Sequence, residues 1–177
     1  HKFDKTNFSP VDFNKNLLET SPKILRLLNN IKQLDKLDIK NHGQVFKHFI
    51  FSDVKEGGYG AKILASALIA NGFTNVVKAR KVPRQQRLRL YLDTSSNSRN
   101  KIALLCSNTI YGTTFNERVK REILTQFNKR PENIHGKRFR FVILDSGFKE
   151  GIDLFDVKYV HVFEPSMTIA DLKQTVG

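Results

Sequence analysis

Hydrophobic positions along this chain alternate between two periods. Across residues 14–35, Leu17, Leu18, Ile24, Leu25, Leu27, Leu28, Ile31 and Leu34 recur at helical spacing, with Ser21 and Pro22 placed as N-cap and first-turn residue of the second part. A short apolar run at residues 48–51 then predicts a strand. It is followed by a helix over residues 59–71, with Ile63, Leu64, Ala67 and Leu68 inward and Gly72 past its end. Residues 75–77 read as a strand, and residues 87–92, where Arg and Leu alternate, as a half-buried strand or hairpin arm. Serines, threonines and asparagines make residues 93–100 a loop. A buried strand at 102–106 precedes a helix over 113–128 that gathers Phe115, Val119, Ile123, Leu124 and Phe127 on one side. Strands at 139–144 and 159–163 complete the set. Continuous apolar strands separated by helices predict an α/β fold: a mostly parallel central sheet with helices on both faces. Ligands of such sheets bind beyond the carboxyl ends of the strands.

Composition narrows the class. At 177 residues the chain amounts to one domain, and 40% hydrophobic with 27% charged residues excludes a disordered chain. No apolar run approaches the roughly 18 residues of a spanning helix, so no membrane role is expected. Cys106 is the single cysteine and the N-terminus carries no secretory pattern, which points to a reducing intracellular setting. One cysteine and five histidines make a structural zinc site improbable, and no metal ligands are assigned. The net charge of +13 is concentrated: over residues 78–140, Lys and Arg outnumber Asp and Glu 16 to 4. Such a stretch suits a polyanion, most simply nucleic acid; the alternative is a solvated basic surface.

Three segments carry candidate chemistry. Residues 52–60, Ser-Asp-Val-Lys-Glu-Gly-Gly-Tyr-Gly, form a polar glycine-rich loop between strand and helix, where backbone N–H groups can hold a phosphate. Glycines there also serve backbone geometry alone, and no Gly-Lys-Ser/Thr makes a P-loop. Residues 142–154 run from a buried strand into a loop in which Gly151 permits close approach of a ligand. In that loop Asp153 could accept from a ribose hydroxyl, or merely cap a turn, and Ser146 could meet a nucleic-acid phosphate. Residues 171–177 read as a helical tail.

Taken in order, these pieces resemble the C-terminal RecA-like lobe of a superfamily-two helicase. The resemblance rests on Ser21-Pro22-Lys23-Ile24 before a leucine-rich helix, Lys47-His48-Phe49-Ile50-Phe51-Ser52 as motif IV, and Arg118 to Asn128 ending in Phe127-Asn128. It continues through residues 142–154, with Glu150-Gly151-Ile152-Asp153, as motif V, and Gln174-Thr175-Val176-Gly177 as the opening of motif VI. The phrasing is closest to helicase-like ATPases of large DNA viruses: the poxvirus-type early transcription factor small subunit, nucleoside triphosphate phosphohydrolase I, and their asfarvirus and giant-virus relatives.

The resemblance implies a RecA-like three-layer sandwich over residues 1–177, with a helical lead-in at 1–40 and a basic insertion at 78–100. It implies that Gly151, Asp153 and Gln174 face ATP, and that Ser52, Lys55, Asp145 and Ser146 lie near a nucleic-acid backbone. Two features depart from the pattern. The motif V hydroxyl sits one position from its usual distance to Gly-Ile-Asp, and the chain stops at Gly177 where the family continues into arginines. Those arginines and a first lobe, the latter holding Mg2+, are therefore expected elsewhere in a full-length protein, and this fragment alone is expected neither to bind ATP nor to hydrolyse it. The implied partners are nucleic acid, DNA rather than RNA, the missing N-terminal lobe and a viral RNA polymerase, in a virion or host cytoplasm. Lys78, Arg80, Lys81, Arg84, Arg87 and Arg89 exceed what the motifs need; they form an extra duplex-facing or partner-facing patch, or a hairpin docking onto acidic surface. The rival readings are a catalytically idle binding scaffold and an unrelated nucleotide-binding α/β enzyme.

Overall fold

The computed structural model describes residues 2–53, 59–106, 109–145, 147 and 152–163. Within them five strands form one sheet: β1 (Lys47–Ser52), β2 (Thr74–Asn75), β5 (Lys101–Leu105), β8 (Phe141–Asp145) and β9 (Val157–Phe163), ordered β2-β5-β8-β1-β9. Every neighbouring pair runs parallel. Every residue of β5 and of β8 is buried, and apolar residues fill both strands apart from Lys101 and Asp145 at their ends.

Successive side chains leave opposite faces of the sheet and feed two cores. Ile50, Ile102, Leu104, Phe141 and Ile143 pack under α1 (Pro10–Thr20), α2 (Pro22–His42) and α3 (Tyr59–Ile69). Phe51, Ala103, Leu105, Val142 and Leu144 meet α4 (Glu117–Phe127) together with a hairpin of β3 (Val77–Lys81) and β4 (Leu88–Leu92). The architecture is the expected α/β sandwich. The lead-in is tied into it: Lys62 bonds Asp4 at 2.9 Å, the Phe3 N–H donates to Ser66 Oγ at 3.0 Å, and Asn14 Nδ2 donates to the Ala70 carbonyl at 3.2 Å.

Several boundaries differ from the sequence expectation, each for a local reason. The helical stretch at 14–35 is longer at both ends. Ser9 Oγ caps α1 by accepting from the Asp12 N–H, and Gly43, at φ 70°, ends α2 in the left-handed region. Ser21 makes no side-chain cap; its N–H closes α1 by donating to the Leu17 carbonyl. Residues 75–77 divide between two sheets, because Asn75 Oδ1 accepts from the Val77 N–H and turns β3 away from β5. Residues 113–116 are extended rather than helical. Thr113 and Thr114 form β7 (Thr113–Thr114) against β6 (Thr109–Ile110), and Asn116 begins α4 by accepting from the Val119 N–H at 3.0 Å.

Lys47 anchors α4 to the amino edge of the sheet. Its buried Nζ donates to the Phe127 carbonyl at 2.6 Å and stands 4.0 Å over the Phe127 ring. Burial lowers its pKa from 10.5 to about 8. Asn133 Nδ2 also donates to that carbonyl, at 2.9 Å, so removing the ammonium leaves no orphan. Lys47→Met is therefore expected to leave stability at pH 7 unchanged or raised by about 1 kcal/mol. Between pH 8 and 10.5 the unfolded chain holds the Lys47 proton and the folded chain does not, so wild-type stability rises with pH across that window. The variant should lack this rise, as read from urea midpoints at pH 7 and 10.

Candidate functional site

The carboxyl rim of the sheet brings two sequence-predicted residues together. Ser52 and Asp145 end neighbouring parallel strands and are register partners. Both share strand parity with Ile50 and Ile143, so they lie on the α1–α3 side. Ser52 is 0% exposed and its Oγ has no hydrogen-bond partner. Asp145 is 2% exposed, and its Oδ1 accepts from the Gly147 N–H at 3.0 Å. A buried hydroxyl without a partner costs about 1–3 kcal/mol, so Ser52 Oγ is a polar atom at the rim whose partner the protein itself does not supply. Lys55, Ser146, Gly151 and Gln174 lie outside the described residues, as does most of the glycine-rich loop and all of the tail.

Asp153 lies elsewhere, away from the carboxyl rim beyond which ligands of such sheets bind. Because β9 runs parallel to β1, the chain must return to the amino edge before β9 can begin. There Asn128, the C-cap of α4, donates from Nδ2 to the Asp153 carbonyl at 2.8 Å and accepts from the Phe155 N–H at 2.8 Å. Arg130 grips Asp156 beside it through Nε at 2.9 Å and Nη2 at 3.1 Å. The turn uses the Asp153 backbone and leaves the exposed carboxylate uncommitted. The six residues of β1 separate the two rims by roughly 17 Å.

The basic stretch folds as an antiparallel hairpin. Val77 with Leu92 and Ala79 with Leu90 face the core, whereas Lys78 with Tyr91 and Arg80 with Arg89 face outward. Lys78 pairs with Asp93 at 3.1 Å, and the Arg80 guanidinium lies 4.9 Å from the Tyr91 ring centre. Arg84, Arg87 and Arg89 are exposed, with no carboxylate partner among the described residues.

A buried polar network on the α2 side escaped the sequence reading. Arg140 holds Asp35 through Nη1 at 2.6 Å and Nη2 at 2.9 Å. His48 Nε2 stands 3.6 Å from the same carboxylate, and His48 Nδ1 bonds His161 Nε2 at 2.8 Å. Burial lowers the His48 pKa; burial and the His48 charge push that of His161 down to about 4. The one sequence signal was His48 within an otherwise apolar strand.

Comparison with known proteins adds a relationship to this geometry. No protein-family profile matches the chain. A curated protein of Acanthamoeba polyphaga mimivirus, named "Putative ATP-dependent RNA helicase", is 26% identical over 159 residues, covering 90% of this chain and 22% of that protein. The chain is similar to a viral helicase-like protein. It spans about a fifth of that relative's length, and the match reaches both rims of the sheet. Among the described residues no helix is long and apolar enough to cross a membrane, and no group of three or more His, Cys, Asp or Glu is placed to hold a metal ion.

Proposed function

We propose that the chain is the second RecA-like lobe of a nucleic-acid-dependent ATPase of the viral helicase kind. The observation that carries this reading is the buried, unpartnered Ser52 hydroxyl beside Asp145 at the carboxyl rim. The parallel sheet and the mimivirus similarity support it. In this reading Ser52 and the segments holding Lys55, Asp145 and Ser146 meet the sugar-phosphate backbone, largely independently of sequence. Gly151, Asp153 and Gln174 serve the nucleotide. The free Asp153 carboxylate suits ribose hydroxyls, which donate to it. In this reading Mg2+ is held by the first lobe.

Because β1 joins the two rims, a shift of this lobe against a partner lobe moves both surfaces together, which couples nucleotide state to grip on the strand. The test compares the 177-residue chain with a longer polypeptide carrying a first lobe. ATP turnover is expected only from the longer one, stimulated by nucleic acid, and Ser52→Ala should raise the nucleic-acid concentration needed for half-stimulation severalfold. Brisk hydrolysis by the chain alone, or turnover indifferent to nucleic acid, overturns the proposal. Nucleic-acid binding without hydrolysis by either polypeptide identifies an idle scaffold instead.

A further inference from the structure

We propose that the groove between β4 and the β6–β7 turn is an additional grip on the phosphodiester backbone of a nucleic-acid strand. The groove has a volume of about 660 Å³ and is lined by Arg87, Arg89, Tyr111, Thr113, Thr114 and Asn116, among others. The turn follows the end of β5 and leads into α4, so the groove opens at the same rim as Ser52 and Asp145, on the β5 side.

The charge arrangement opposes folding and favours a polyanion. Arg80 and Arg89 are direct cross-strand partners on the outer face, where like charges destabilise a hairpin. Arg84, Arg87 and Arg89 have no carboxylate within the described residues to offset this. Arg87 and Arg89 are two residues apart, about 6.8 Å along the strand. The opposite wall supplies hydrogen-bond donors: the Thr113 and Thr114 hydroxyls, and the Asn116 amide nitrogen, whose oxygen is already engaged in capping α4.

The wall is also held in place. Tyr111 and Gly112 both take left-handed backbone, φ 54° and φ 73°, which is strained for tyrosine. Asp4 keeps the turn by accepting from the Tyr111 N–H at 3.3 Å while paired with Lys62, and the Phe3 ring packs edge-on against the Tyr111 ring at 5.8 Å. Two elements distant in sequence, the N-terminal segment and α3, thus fix a turn that stability alone does not favour, as at pre-organised binding surfaces.

The inference rests on the nucleic-acid reading of the rim, and one experiment separates the two. Fluorescence anisotropy of labelled oligothymidylate and oligouridylate is measured against the 177-residue chain over about 50–200 mM salt. The wild type should bind at least one of them with steep salt dependence. Arg87→Gln/Arg89→Gln should weaken binding about tenfold and reduce the slope of log K against log salt by about 1.4, with thermal unfolding unchanged. Arg87→Lys/Arg89→Lys should keep the slope. Comparison of the two oligonucleotides tells whether a DNA or an RNA backbone is preferred. If Ser52→Ala weakens binding and the arginine pair does not, the groove is wrong and the rim stands; the reverse result supports the groove and removes the rim contact. The proposal is also overturned if neither oligonucleotide binds, or if polyglutamate of matched charge displaces the oligonucleotide equally well, which would mark an acidic protein as the partner.

Discussion

Arg140→Ala is expected to lower unfolding free energy by about 3–5 kcal/mol, a large part of what a domain of this size possesses. The side chain is 1% exposed, and four of its five N–H donors find acceptors inside the protein. Nη1 and Nη2 fork onto Asp35, Nε donates to the Arg99 carbonyl at 2.9 Å, and Nη1 also faces the Phe46 carbonyl at 3.4 Å. Truncation leaves the half-buried Asp35 carboxylate facing only His48, together with two carbonyls short of a partner. The Arg140 backbone, which an alanine would keep, donates its N–H to the Lys101 carbonyl and accepts at its own carbonyl from the His48 N–H, both at 3.0 Å. It therefore sits where β5, β8 and β1 are brought into register, and that register sets Asp145 against Ser52 at the far rim.

Urea unfolding checks this, with Arg140→Ala/Asp35→Asn as the companion. Removing the orphaned charge should recover 1 kcal/mol or more, on the order of a buried charge's desolvation. Gly136→Ala should injure the same site from the other side. A Cβ there would stand 2.7 Å from Arg140 Cβ, and Gly136 holds φ 75°. A loss below about 1 kcal/mol for Arg140→Ala would mean that the ion pair does not stabilise the sheet edge.

The elements legible in the sequence are those whose environment is uniform along their length. β5 and β8 are buried on both faces, so their apolar runs announce a parallel sheet, and α4 announces itself by Val119, Ile123 and Phe127. The Thr113–Asn116 stretch misled because Phe115 falls in phase with that helix. What decides its conformation is the left-handed Tyr111-Gly112 pair held by Asp4, more than a hundred residues away. The site divides similarly. Ser52 and Asp145 could be placed together because each is the first polar residue after an apolar strand. The placement of Asp153 follows from strand direction: because β9 runs parallel to β1, the segment that leads into it lies at the amino edge, beside Asn128. The Arg and Leu alternation foretold the hairpin, but not the groove that its free edge makes with β7. Arg140 and Asp35 lie 105 residues apart, beyond any local signal.

Acidification from pH 7 to 4 is expected to cost this fold about 3 kcal/mol, most of it through His161. Burial and the neighbouring His48 hold the folded pKa near 4 against 6.5 for an unperturbed imidazole. Between those values the unfolded chain binds a proton that the folded chain refuses, so stability is complete above about pH 6.5 and drains away as pH falls towards 4. His48 shifts in the same direction, for burial outweighs the pull of Asp35 and Asp38. The tautomers explain why neither ring charges readily. In the tautomer that points His48 Nε2–H towards Asp35, 3.6 Å away and beyond hydrogen-bond distance, His48 Nδ1 accepts from His161 Nε2–H at 2.8 Å, and a second proton on His48 would remove that acceptor. The rings are stacked within 4° at 5.1 Å, so two imidazolium charges would face each other directly. Lys23 and Arg26, which line the groove that His161 opens onto, add further positive charge from α2. His161→Gln keeps a donor for His48 Nδ1 but cannot titrate, so its urea midpoint should fall much less between pH 7 and 5 than the wild type's. An NMR titration placing His161 near 6.5, or an unchanged acid slope in the variant, would remove the buried pair as the source of acid lability.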